Sequence, residues 1–113
     1  MQYKEIICDC AVRERCKPEY KSGAFKFKDG YYEIYYLDGK EFRDDGPVSI
    51  CYHDNGKISH ELYRVNYINH RTDGPAEIFY NEDGDIGEEE FWLNGVQYSE
   101  EEYYKQLATK LYW

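Results

Sequence analysis

The chain has 113 residues, with 23 acids against 14 bases and 14 tyrosines among its 21 aromatics. That length builds a single small domain around one modest core, not an enzyme of separate lobes. A formal net charge of −9 argues against affinity for nucleic acid phosphate, which comes from Lys and Arg displacing counterions, while 42% apolar residues supply the burial that a disordered chain lacks.

Residues 1–22 form an N-terminal segment, predicted as a strand plus turn packed on the repeats of residues 23–98. It contains no apolar run of signal-peptide length, and no stretch of the chain approaches the roughly 18 to 20 apolar residues of a membrane span, so a cytoplasmic protein is expected. Cys8, Cys10 and Cys16 crowd this segment, and the fourth cysteine is Cys51. A reducing compartment favours free thiols. Zinc would find three thiolates in Cys8, Cys10 and Cys16, but a structural site wants four ligands, leaving the fourth to Cys51 or a distant His. The reading as small buried residues fits better, because Ile6, Cys8, Cys10 and Val12 fall on one face of a strand at period two.

Residues 23–98 repeat. Arg43-Asp44-Asp45-Gly46-Pro47-Val48-Ser49-Ile50-Cys51-Tyr52 aligns with Arg71-Thr72-Asp73-Gly74-Pro75-Ala76-Glu77-Ile78-Phe79-Tyr80 at an offset of 28, and the register continues to Asn66 over Asn94, with ten identities in 24 positions. Repetition therefore takes precedence over other fold readings. A degraded upstream copy keeps the offset from Glu33 to Asp38-Gly39, and Phe25-x-Phe27-Lys28-Asp29-Gly30 matches Ile50-x-Tyr52 and its turn after a two-residue shortening. Each copy reads as a hairpin. Asp-Gly-Pro supplies a turn and a strand start that can spare an N–H. Val48, Ile50 and Tyr52, or Ala76, Ile78 and Tyr80, share one face. Asp54-Asn55-Gly56 and Glu82-Asp83-Gly84 are hairpin loops, and Asp38-Gly39 and Asn94-Gly95 close their units with a strong turn signal. Tyr67 replaces that Gly in the middle copy, where a different connection is expected. The returning strands carry Glu61, Tyr63 and Val65, or Glu89, Phe91 and Leu93, on one side. The pattern predicts a mainly β meander of about six strands.

Residues 99–113 read as a helix spanning about 100 to 112. Ser99 and Glu102 have capping-box spacing, with acids in the first turn where the helix dipole favours them. Tyr103, Leu107 and Leu111, flanked by Tyr104, Ala108 and Tyr112, form an apolar stripe suited to capping the end of the repeat sheet.

Units of the form Tyr-x-x-x-Gly-x-x-x-x-Glu-x-aromatic-x-aliphatic-Asn-Gly resemble the MORN-type repeat, specifically its divergent bacterial and bacteriophage variant found in antitoxin-like modules. Together with Arg-x-Asp-Gly-Pro-Ala, Trp92-Leu93-Asn94-Gly95 and Ser99-Glu100-Glu101-Glu102-Tyr103, they resemble small phage and prophage proteins built from that unit. The resemblance covers about residues 23 to 104. It implies MORN-like β-hairpin repeats with a C-terminal capping helix, a scaffolding or contact-making role, no shared catalytic residues and a bacterial host cell. The first copy lacks the Asp-Gly-Pro opening, and residues 1–22 match nothing in the repeat.

Glu33, Glu61 and Glu89 recur in register. Paired carboxylates can serve glycoside hydrolysis or metal binding, but recurrence at every period favours a structural role, pairing with Arg43 and Arg71 or accepting turn amides. His53, His60 and His70 are not repeated and read as surface substitutions. No nucleophile–base order, phosphate loop, redox Cys-x-x-Cys or complete calcium loop is present. Charge is more informative: residues 1–43 carry a net +1, 44–76 carry −2 and 77–113 carry −8, with no Lys or Arg from 77 to 102. Glu88, Glu90 and Trp92 fall on the face opposite Phe91 and Leu93; their counterparts are His60, Leu62 and Arg64, and Tyr32, Ile34 and Tyr36. That variation reads as an exposed, partner-facing surface, and exposed Tyr and Trp beside acids have hot-spot composition.

The expectation is a non-catalytic protein-binding module, phage- or prophage-encoded, without cofactor, catalytic or metal residues and without direct nucleic acid binding. It would bind and inhibit a basic partner protein in a host-defence, anti-CRISPR-type or toxin-neutralising role, as monomer or homodimer, through Glu88, Glu90, Trp92, Tyr32, Tyr36, Glu82, Asp83 and Asp85. The alternative is a structural, self-assembling scaffold or minor virion component. A small hydrolase would need a cleft that a single-layer sheet rarely provides.

Overall fold

A computed structural model describes residues 2–7 and 22–109. The architecture is mainly β with a C-terminal helix. In chain order the strands are β1 (Lys4–Ile7), β2 (Ala24–Lys28), β3 (Tyr32–Leu37), β4 (Lys40–Glu41), β5 (Ser49–Tyr52), β6 (Ile58–Leu62), β7 (Arg64–Val65), β8 (Ile68–Asn69), β9 (Glu77–Tyr80), β10 (Ile86–Leu93) and β11 (Val96–Tyr98), followed by α1 (Glu100–Thr109). The main open sheet runs β1-β2-β3-β5-β6-β9-β10-β11, with β4 beside β3, and β7 and β8 pair separately. Six of its strands, β2, β3, β5, β6, β9 and β10, form the antiparallel meander expected from the repeat.

Local chemistry explains the hairpins. His53 and Asn81 each close a loop, donating to the carbonyls of Lys57 and Asp85, and Gly56 and Gly84 at φ 86° and 96° supply the left-handed residue. Each unit then ends in a two-residue turn with both φ positive: Asp38 and Gly39 at 50° and 80°, Asn94 and Gly95 at 50° and 81°. The middle copy does not differ as expected, for Asn66 and Tyr67 adopt the same turn at φ 51° and 65°. Tyr67 is held there from outside the turn: its hydroxyl accepts from the Glu41 amide at 3.1 Å.

The ladders sort side chains onto two faces. On the core face lie Tyr35, Val48, Ile50, Ala76, Ile78, Phe91 and Leu93, all buried. A one-layer sheet has no second sheet to cover them, so long side chains lie across it. The guanidinium of Arg43 stacks 4.0 Å from the Tyr35 ring centre and that of Arg71 3.9 Å from Tyr63. Each arginine is fixed by an adjacent aspartate, Asp45 at 3.0 Å and Asp73 at 2.9 Å, and donates to the carbonyl of Pro47 or Pro75 at 3.0 Å. At the C-terminal end Tyr103 of α1, 0% exposed, packs on Phe91 and Leu93 with Tyr98 and Leu107.

The first copy is where the expected register fails. Glu33 pairs with Lys28, whereas Glu61 pairs with Ile50, so Lys28 occupies the place of Ile50. The sequence match puts Phe25 at the place of Ile50, three residues before Lys28, and a slip of odd parity turns every side chain over. Phe25 and Phe27 therefore lie on the outer face, where Phe27 is 4% exposed with Tyr36 edge-on at 5.3 Å.

Strand β1 pairs parallel with β2, Ile6 opposite Phe27. Cys8, Cys10, Val12 and Cys16 lie outside the described residues; Cys51 is a free thiol whose pKa burial raises. Helix α1 starts as the capping signal requires, with the Glu102 amide donating to Ser99 Oγ at 3.2 Å, while the Glu102 carboxylate accepts from Gln106 at 2.9 Å. Leu111 and Tyr112 lie beyond the described residues.

Candidate functional site

The C-terminal half of the outer face carries the acidic and aromatic side chains that the sequence singles out. A bulge between Ile86 and Glu88 sets the alternation of β10, and a Cβ on the intervening Gly87 would meet Asn81 Oδ1 at 2.9 Å. Beyond the bulge, Glu88, Glu90 and Trp92 share the outer face. Glu88 is exposed, Glu90 and Trp92 half-buried, and the indole N–H donates to Glu90 Oε1 at 3.2 Å.

Across the ladder Glu90 stands directly opposite Glu77, and Glu88 opposite Phe79. Like charges in opposed positions repel, costing about 0.2–1 kcal/mol. The next strand offsets part of this: His60 Nε2 lies 2.9 Å from Glu77 Oε2, and its ring stacks on Phe79 at 4.7 Å. Glu77, Phe79 and His60 thus belong to the surface, and sequence reasoning missed them. His60 reads as a mere substitution in the sequence because only the pairing of β6 with β9 brings it beside Glu77.

The remaining candidates divide. Glu82, Asp83 and Asp85 form the exposed β9–β10 loop just before this strip, but Asp83 is partly structural. Its Oδ1 accepts from the Asp85 amide at 3.0 Å, while the Glu82 and Asp83 carbonyls accept from Asn55 at 2.8 Å and Lys57 at 3.1 Å. Tyr32 and Tyr36 share the face but sit on β3, four strands from β10 and so roughly 19 Å away at about 4.8 Å per strand. They are half-buried, and Tyr36 packs against Phe27. Leu62, at 7% exposed, interrupts the strip. The face is thus not uniformly exposed: its acidic end is open, and its aromatic end is packed.

On the core face the repeated carboxylates do not pair with Arg43 and Arg71 as expected, since those guanidinium groups belong to Asp45 and Asp73. They accept from tyrosines instead. Tyr52 donates to Glu33 at 2.7 Å, and Tyr80 donates to Glu61 from the same position one repeat later. Burial, then the glutamate acceptor, pushes Tyr80 up to about 12 and raises Tyr52 in the same direction. A recurring Glu-to-Tyr separation of 19 residues carried this signal in the sequence. Glu89 is exposed, and its would-be partner, 28 residues beyond Tyr80, is Ala108.

The histidines also depart from expectation. Besides His60, His53 Nε2 meets the Tyr80 carbonyl at 2.9 Å, and His70 Nδ1 accepts from the Asn94 amide at 2.9 Å. Burial lowers the His70 pKa, which suits a neutral acceptor. All three are half-buried and bridge adjacent repeats. Among the described residues no group of three or more His, Cys, Asp and Glu is placed to hold a metal ion, and no helix is long and apolar enough to cross a membrane. Compared with protein-family profiles, with curated proteins and with solved structures, the chain matched none.

Proposed function

We propose that the chain is a non-catalytic protein-binding module whose acidic outer face holds a basic partner protein. The observation that carries this reading is the opposed pair Glu77 and Glu90, flanked by Glu88 and Trp92 on an open sheet face. Two carboxylates held against each other are relieved by a partner's Lys or Arg, and such a surface steers and orients a basic protein. The capture of Glu33 and Glu61 by tyrosine hydroxyls supports a structural rather than an acid–base role for the repeated carboxylates.

Three hairpins whose closing turns, at Asp38-Gly39, Asn66-Tyr67 and Asn94-Gly95, recur at a fixed offset with both φ positive support the resemblance to MORN-like repeats. On that resemblance alone, the module is phage- or prophage-encoded and works in the bacterial cytoplasm against a host-defence or toxin component. The test is affinity capture from bacterial lysate with the intact chain and with the pair Glu88→Lys and Glu90→Lys. Basic proteins should be retained by the first and lost by the second with circular dichroism unchanged; equal retention sinks the assignment. The open edge of β10 favours a second reading, a self-assembling scaffold, which predicts concentration-dependent growth in light scattering.

A further inference from the structure

Within the molecule, the second strand of each hairpin receives the first strand of the next. Strand β3 receives β5 through Glu33 opposite Ile50, and β6 receives β9 through Glu61 opposite Ile78. In both, the tyrosine two residues beyond the isoleucine returns its hydroxyl to that same glutamate: Tyr52 to Glu33, Tyr80 to Glu61. The corresponding edge of β10, Glu88 to Glu90, pairs with no strand among the described residues, because β11 covers only Phe91 to Leu93. Glu89 stands there exposed. Beside it opens a cleft of about 580 Å³ lined by Glu89, Phe91, Gln97, Tyr98, Ser99 and Glu100.

We propose that this edge is a peptide-binding site that takes an antiparallel strand of a partner protein with the pattern basic–isoleucine–basic–tyrosine. The isoleucine lies opposite Glu89 on the core face, and the tyrosine two residues on donates to the Glu89 carboxylate, as its counterparts do in the preceding repeats. The flanking positions face Glu90 and Glu88 on the outer face, where Lys or Arg complements them. Strand addition supplies main-chain hydrogen bonds, and the alternating side chains give selectivity. The two basic positions rest on the acidic-face reading above; the isoleucine and tyrosine positions do not.

The probe is a fluorescein-labelled peptide with the core Lys-Ile-Lys-Tyr, titrated with the full chain and followed by anisotropy. Saturable binding is expected, with a scrambled peptide at least about tenfold weaker. Replacing the peptide tyrosine by phenylalanine should weaken binding about tenfold, as loss of a hydrogen bond to a charged acceptor does, and should change nothing in Glu89→Ala protein. A core of Ser-Ile-Ser-Tyr that binds as well as the lysine peptide, with tyrosine dependence intact, would uphold the edge site and sink only the acidic-face reading. Equal binding of the scrambled peptide, or tyrosine dependence surviving Glu89→Ala, would overturn the proposal. So would absence of binding, which would leave the three acids as guards against edge pairing. A dimer that excludes the peptide would overturn it too, assigning the edge to a second copy.

Discussion

Tyr103 closes the sheet, and its replacement measures how much of the fold depends on that closure. The ring is fully buried against Phe91 at 4.9 Å, and the hydroxyl does two jobs, donating to the Arg71 carbonyl and accepting from the Gly74 amide at 3.3 Å. Tyr103→Phe keeps the ring but strands the buried Gly74 N–H and the part-buried Arg71 C=O of the 71–75 turn, a loss of about 2 kcal/mol at 1–3 kcal/mol per unsatisfied group with partial rescue by water. Tyr103→Ala removes the ring as well and should cost about 4 kcal/mol, within the usual range for buried aromatic truncation. Against a total of roughly 5–15 kcal/mol for a domain of this size, that is about a quarter of the stability or more. Urea unfolding followed by circular dichroism reads both values, with Tyr104→Ala as the control, since Tyr104 touches the same ring but is half-exposed. If Tyr103→Ala costs no more than Tyr104→Ala, the helix is an appendage and the capping argument fails.

Two further perturbations test the repeat device. Tyr80 and Tyr52 have folded-state pKa values raised above those of the unfolded chain, so the stability they contribute is fully present below about pH 10 and is lost as pH rises toward 12. Urea midpoints should fall between about pH 10 and 12, and Tyr80→Phe should flatten that fall; an unchanged alkaline slope counts against the Glu61 contact. Gly46→Ala places a Cβ 2.7 Å from the Arg43 guanidinium carbon and must push the arginine off Tyr35. A loss of about 1–3 kcal/mol is expected in thermal or urea melts, and a neutral result would mean that the cation stack covers nothing.

The hairpins, their order and the capping helix were legible in the sequence because they rest on local chemistry, turn residues and period-two alternation at a fixed offset. What was not legible depends on pairing across repeats. The slip that puts Phe27 on the outer face is a matter of parity between two strands, invisible until Glu33 is seen opposite Lys28. Tyr67 takes the same turn as glycine because the Glu41 amide holds its hydroxyl from 26 residues away. The histidines read as ornaments since each partner lies 17 or more residues distant. The acidic and aromatic candidates do share one face, but period-two alternation fixes only the face and not the distance, and four strand spacings separate Tyr32 and Tyr36 from β10.

The opposed carboxylates offer a way to separate a binding face from a merely soluble one. A surface selected only for solubility gains nothing by setting Glu90 against Glu77, whereas a binding surface can carry that cost where a partner relieves it. Glu90→Gln removes the repulsion while keeping an oxygen to accept from the Trp92 indole. The variant should be about 0.5 kcal/mol more stable than the parent at low ionic strength, about 2–4 °C in the thermal midpoint for a domain of roughly 100 residues. The gain should vanish in about 1 M salt, where the screening length falls to about 3 Å. Retention of basic proteins should drop in the same variant. Greater stability with unchanged retention would make the strip a solvated surface, and no gain at low salt would show that the His60 contact already relieves Glu77, removing the strain on which the functional reading stands.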